Sequence, residues 1–102
     1  MAVMMVMRWP GVTSDQYDRA REMVGWERDP ALGGMFHVAA FGSDGLHVTD
    51  IWESPESFQR FTEERLMPAV AQIGIEGEPS VEFHQVHAVW TPDADRVAAL
   101  TN

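Results

Sequence analysis

The chain has 102 residues, no cysteine, 45% hydrophobic residues and a formal net charge of −9. Its length suits one domain over residues 1–102, and its composition suits a folded globule, not a disordered chain. The acidic balance argues against nucleic acid and anionic membranes as partners, and no apolar run approaches the roughly 20 residues that cross a bilayer.

The opening stretch, MAVMMVMRWPG, has no basic segment and no convincing cleavage site, so no signal peptide is expected. Without cysteine there are no disulfides, no Cys-based zinc sites and no thiol catalysis; a reducing, cytoplasmic setting fits. Residues 2–8 form a short apolar run ended by Trp9-Pro10-Gly11, which reads as a strand. Thr13 and Gln16 make a capping box before a helix with Tyr17, Ala20, Met23 and Val24 at helical spacing, ending near Gly25-Trp26. Met35–Phe41 and Leu46–Glu53 read as strands around the hairpin signal Gly42-Ser43-Asp44-Gly45. Ser54 and Pro55 start a second helix with Phe58, Phe61 and Val70 on its apolar side, which Pro68 should break or kink. Val81–Trp90 is the last expected strand, and residues 91–102 form a tail or a short helix starting at Thr91-Pro92-Asp93.

The order β-α-β-β-α-β predicts an α+β, ferredoxin-like domain with a four-stranded antiparallel sheet and both helices on one face. The first strand is apolar on both sides: Val3, Met5 and Met7 point one way, Ala2, Met4 and Val6 the other. A strand with one wet face should alternate instead, so the second face needs a cover. The simplest cover is a second copy, giving a homodimer; the alternative is a monomer whose tail folds over the sheet.

The hairpin places the candidate site by parity. With Ser43-Asp44 as the turn, His37 lies opposite Asp50; with Asp44-Gly45, His37 faces Trp52 and Ala39 faces Asp50. In either register His37, Phe41, Val48, Asp50 and Trp52 share one face. The opposite set, Phe36, Val38, Ala40, Thr49 and Ile51, is more uniformly apolar and is assigned to the helices. That assignment sends His37, Asp50 and Trp52 into the space between two sheets.

A His–carboxylate pair in a partly dry cavity can act as a general base near neutral pH, and Trp52 can stack on a flat aromatic ligand. The plainer alternative is a satisfied polar pair that holds the strand register, with Trp52 in the core. Phe41, Val48 and His87 are the accompanying candidate ligand contacts; His87 is preferred to His84 because Phe83 and Val89 share its side. The four histidines have no metal-ligand spacing, and no GxGxxG, Walker or GxSxG motif occurs, so neither a metal nor a nucleotide cofactor is expected. Glu63, Glu64, Glu76 and Glu78 read as solvated surface, and the methionines as adaptable packing.

The order of elements, and the step Asp50-Ile51-Trp52-Glu53-Ser54 into a helix with Phe58 and Phe61, resembles the antibiotic biosynthesis monooxygenase family of the dimeric α+β barrel superfamily, over residues 2–90. The resemblance implies a homodimeric barrel with a cavity in each protomer. It also implies, for some members, oxidation of polycyclic phenols by O₂ without metal or flavin, the deprotonated substrate itself reducing oxygen. Trp52 matches a pocket-lining tryptophan of such enzymes, whereas the asparagine that some place four residues earlier is Val48 here. Heme-degrading relatives carry an asparagine in the first strand, and this chain has none there. Three readings are open: a cofactor-independent oxygenase of a small aromatic or polyketide-like molecule, a non-catalytic binding or accessory homodimer, and a structural dimer with a filled cavity.

Overall fold

A computed structural model describes residues 1–100. Its elements are β1 (Val3–Pro10), α1 (Ser14–Val24), β2 (Gly34–Gly42), β3 (Gly45–Trp52), α2 (Pro55–Phe61), a π-helical turn (Thr62–Leu66), α3 (Met67–Ile73), β4 (Ser80–Gln85) and α4 (Ala94–Ala98). The four strands form one antiparallel sheet in the order β2-β3-β1-β4. This is the ferredoxin-like α+β arrangement that the pattern of elements predicts.

Local chemistry sets the boundaries. Thr13 and Gln16 form the reciprocal capping box, and Gly25, at φ 72°, closes α1 in the left-handed conformation that glycine adopts without steric cost. Ser54 caps α2, with Pro55 in its first turn. Pro68 does not break the helix. The chain widens into a π turn just before it, and Met67 N–H bonds to the Thr62 carbonyl five residues back. Pro68 has no N–H for the carbonyl four residues behind it, and the wider turn carries the helix past the pyrrolidine ring to Ile73.

The core lies between the sheet and the helices. Met5, Met7 and Trp9 of β1, and Leu46, Val48 and Trp52 of β3, pack there with Phe58 of α2 and Val70 of α3. Met5 is completely buried. The Trp9 indole N–H donates to the Glu76 carbonyl at 3.0 Å, tying β1 to the loop before β4.

The other sheet face carries Met4, Val6, Val38, Thr49 and Ile51, and nothing in the described chain covers it. Val38 is 47% exposed. The tail does not fold over this face as the monomer alternative required: Trp90 is 84% exposed, and Val97 and Leu100 are also exposed. The last strand ends at Gln85 instead of Trp90, and Asp93 caps the short α4. The final two residues of the expected tail, 101 and 102, lie outside the described residues.

Met5→Ala removes most of a fully buried side chain from the centre of the sheet. It should lower the unfolding free energy by about 3 kcal/mol, read as an earlier urea midpoint at unchanged m-value.

Candidate functional site

β2 and β3 are joined by the two-residue turn Ser43-Asp44, so His37 pairs with Asp50 and Ala39 with Val48. The first of the two expected registers is therefore the one formed, and His37, Phe41, Val48, Asp50 and Trp52 share a face. That face turns toward the helices, the reverse of the sequence assignment. Uniform apolarity misidentified the inner face because the two polar residues on it satisfy each other, which permits their burial. The bulky residues Met5, Met7, Trp9, Leu46 and Trp52 share this side and fill it.

Asp50 is only 5% exposed, and it is the one buried charged residue among those described. Its Oδ1 accepts from His37 Nδ1 at 2.7 Å, and its Oδ2 accepts from the Trp52 indole N–H at 2.9 Å. With Nδ1–H committed to the carboxylate, the neutral imidazole has its lone pair at Nε2. There it accepts the Tyr17 hydroxyl at 2.6 Å. The result is a continuous chain of hydrogen bonds, Tyr17–His37–Asp50–Trp52, running from α1 across β2 to β3.

Aromatic rings hold this chain in place. Trp26, just after α1, packs against both Tyr17 and His37, with ring centroids 5.8 and 5.6 Å away. Trp52 packs against Phe58 and Phe61, each at 5.5 Å. Gly34 lies against the Trp52 ring, where a Cβ would meet the indole edge at 3.4 Å, an ordinary van der Waals contact.

Together these groups line a cavity of about 270 Å³ between sheet and helices. Met7, Trp9, Leu46, Val48, Leu66 and Ile75 form its apolar walls. Tyr17, His37 and Asp50 are the ionisable side chains among its described lining residues. No group of three or more His, Cys, Asp or Glu residues able to hold a metal occurs among the described residues.

The other expected site residues divide. Val48 lines the cavity, whereas Phe41 and His87 do not. Phe41 packs in a T-shaped contact with Tyr17, at 6.0 Å between centroids. His87 lies past the end of β4 on an exposed segment; with no strand there, the parity that placed it inside does not apply. Tyr17 and Trp26 are site residues that the sequence reading missed. Tyr17 lies on the apolar stripe of α1, where a hydroxyl among Ala20 and Val24 was the signal available. Trp26 comes after a helix cap, and no periodicity indicates where such a residue folds.

No protein-family model matches the chain, and no curated protein matches it. Solved structures do share its fold. SnoaB of Streptomyces nogalater, a cofactor-independent oxygenase, is 14% identical with a TM-score of 0.60, over 86% of this chain and 95% of that one. The monooxygenase from the gene ActVA-Orf6 of Streptomyces coelicolor, solved in complex with nanaomycin D, is 17% identical with a TM-score of 0.56, over 90% and 92%. NE2512 of Nitrosomonas europaea, a protein of unknown function, is 15% identical with a TM-score of 0.61, over 89% and 93%. At such identities the likeness establishes the fold alone, one shared also with structures described as putative antibiotic biosynthesis monooxygenases.

Burial raises the Tyr17 pKa from 10.0 to about 12, with the Asp50 charge adding to the shift and Arg21 opposing it. Tyr17 is the only tyrosine in the chain, so its titration can be followed by phenolate absorbance without ambiguity. The midpoint should lie near 12 in the folded protein and near 10 after unfolding. Above the unfolded value the native state retains more protons than the unfolded one. Stability is therefore fully present below pH 10 and is lost as pH rises toward 12.

Proposed function

We propose that the chain binds a small, uncharged aromatic phenol in this cavity and oxidises it with O₂ without a bound cofactor. The observation that carries the reading is the hydrogen-bonded chain Tyr17–His37–Asp50, set into an apolar cavity whose described lining holds no cationic side chain. The shared fold with SnoaB and the ActVA-Orf6 monooxygenase supports it.

In this reading the substrate hydroxyl donates to the Tyr17 oxygen. As its proton transfers, the Tyr17 proton passes to His37 Nε2, and Asp50 stabilises the imidazolium. Tyr17 remains neutral throughout, which suits a phenol that burial makes a poor acid. The phenolate then gives electron density from its own ring carbon to O₂. A carbon–oxygen bond forms, and loss of water leaves a quinone, so phenol and O₂ yield quinone and one water. The dry walls hold the anion away from bulk solvent.

A second reading is a non-catalytic binding or accessory protein of the same fold. Val48 favours it, because an apolar residue lines the wall where some related oxygenases carry an asparagine. Oxygen uptake with a panel of phenols separates the two. Stoichiometric consumption with quinone formation supports the oxygenase, and tight binding without uptake supports the accessory protein.

His37→Ala should lower turnover by at least about a hundredfold. Tyr17→Phe should produce a comparable loss, and the double variant should be little worse than either single one, because both residues move the same proton. A loss of less than about tenfold in both single variants would remove them from the proton path.

A homodimer is proposed separately, from the open face around Met4, Val6, Val38 and Ile51, which a second copy would cover. Sedimentation at micromolar loading should report twice the 11.5 kDa mass of one chain; a particle of 11.5 kDa would overturn the dimer.

A further inference from the structure

We infer that residues 25–33 form a lid over the cavity and that Arg65, on the π-helical turn, is its latch. The inference rests on the cavity being a ligand site. The loop contributes Trp26, Pro30 and Ala31 to the cavity lining, and Trp26 sits against both Tyr17 and His37. Both ends are glycines, Gly25 and Gly33, with φ values of 72° and 85°, conformations that residues with a Cβ rarely adopt.

Arg65 bridges this loop to the helical segment that follows β3. Its Nη2 donates to the Val24 carbonyl at 3.1 Å and to the Asp29 carbonyl at 2.7 Å. One guanidinium nitrogen thus joins the end of α1 to the middle of the loop. Val24 lies in the last turn of α1, where helix carbonyls lack intrahelical partners and a cation is favoured. The Arg21–Glu27 ion pair and the bond from Arg28 to the Glu22 carbonyl tie the loop back to α1, its own neighbour. Arg65 reaches it from α2–α3.

The same guanidinium lies 5.5 Å from the centroid of Phe61, which packs on Trp52. The latch therefore touches both the lid and the aromatic wall behind the carboxylate. When Arg65 lets go of Asp29, the loop can pivot at its two glycines and carry Trp26 off the Tyr17–His37 pair. The way into the cavity then opens on the side of α1 and β2. Arg65 is in this sense a positioning residue: it acts on ligand entry and release through the loop, not on the reacting atoms.

Hydrogen exchange read by mass spectrometry tests the latch directly. The Arg28 and Asp29 amides both donate to the Gly25 carbonyl, and their protection reports how firmly this turn of the loop is held. In Arg65→Ala, residues 25–33 should exchange about tenfold faster, the loss expected for charge-assisted bonds, while 14–24 and 45–52 are unchanged. Arg65→Lys, which keeps one cation within reach of a carbonyl, should fall between wild type and Arg65→Ala. Unchanged exchange in 25–33, or a rise spread evenly over the chain, would overturn the latch. Stopped-flow binding of naphthol, a fluorescent uncharged phenol, tests its consequence. Release from Arg65→Ala should be about tenfold faster than from wild type, and equal release rates would overturn the lid. Failure of naphthol to bind wild type would count against the cavity as a phenol site. The latch would still be judged by the exchange data.

Discussion

A carboxylate placed inside an apolar cavity constrains everything around it. Left alone, the Asp50 side chain would cost several kcal/mol in lost hydration. Two donors answer it, the His37 ring and the Trp52 indole, one per oxygen. The imidazole depends on the β2–β3 register, whereas the indole lies two residues along β3 from Asp50 on the same face. A hairpin turn one residue later would set Ala39 opposite Asp50 and leave the carboxylate without the imidazole. The polar chain therefore specifies the strand pairing as firmly as any apolar contact does, and in return the pairing fixes the imidazole tautomer. Tyr17 is recruited by that tautomer, since only an Nε2 lone pair accepts a hydroxyl proton.

Much of this was legible in the sequence because it depends on local rules. The capping box at Thr13, the Ser54-Pro55 helix start and the Gly42–Gly45 turn each involve a few neighbouring residues with defined conformational preferences. Side-chain parity across the hairpin came from the same locality, and it grouped His37 with Asp50 and Trp52 correctly. The direction in which that face would point was not legible. Two sets of side chains competed for the helices. The winner was the set with the larger rings and longer chains, which fills the space between layers, and not the set with fewer polar atoms. A hydrogen-bonded Asp–His–Trp group counts as nearly apolar once its bonds close, and no single-residue scale records that. His87 failed for a related reason: parity holds only as far as the ladder does, and the ladder ends at Gln85.

The inversion of faces moves the candidate site from between two sheets to between sheet and helices; His37, Asp50 and Trp52 stay in it, and Tyr17 and Trp26 join them. A site between sheet and helices is enclosed by one chain, so its walls, its polar chain and the loop above it are set by intramolecular packing. The open face, with Val38 nearly half exposed, is then free to serve assembly. In the proposed homodimer the two roles separate: the inner face binds ligand while the outer face holds the partner. A surface change that weakens association would then reach the proton path only through the rigidity of the shared sheet.

The helical layer shows how such a cavity stays open inside a small domain. A regular helix from Pro55 to Ile73 would meet the Pro68 ring with an ordinary turn. The π turn instead takes up an extra residue and rotates the remainder of the helix. Phe58 and Phe61 precede the widening and face Trp52; Leu66 and Val70 come with or after it and line other parts of the wall. Arg65 lies within the widened turn, at the point where the helix departs from its regular path, and reaches across to Val24 and Asp29. One proline thus has two consequences at once. It spreads the apolar residues of the helix around a space instead of closing them on the sheet, and the turn it requires carries the cation that holds the loop above that space.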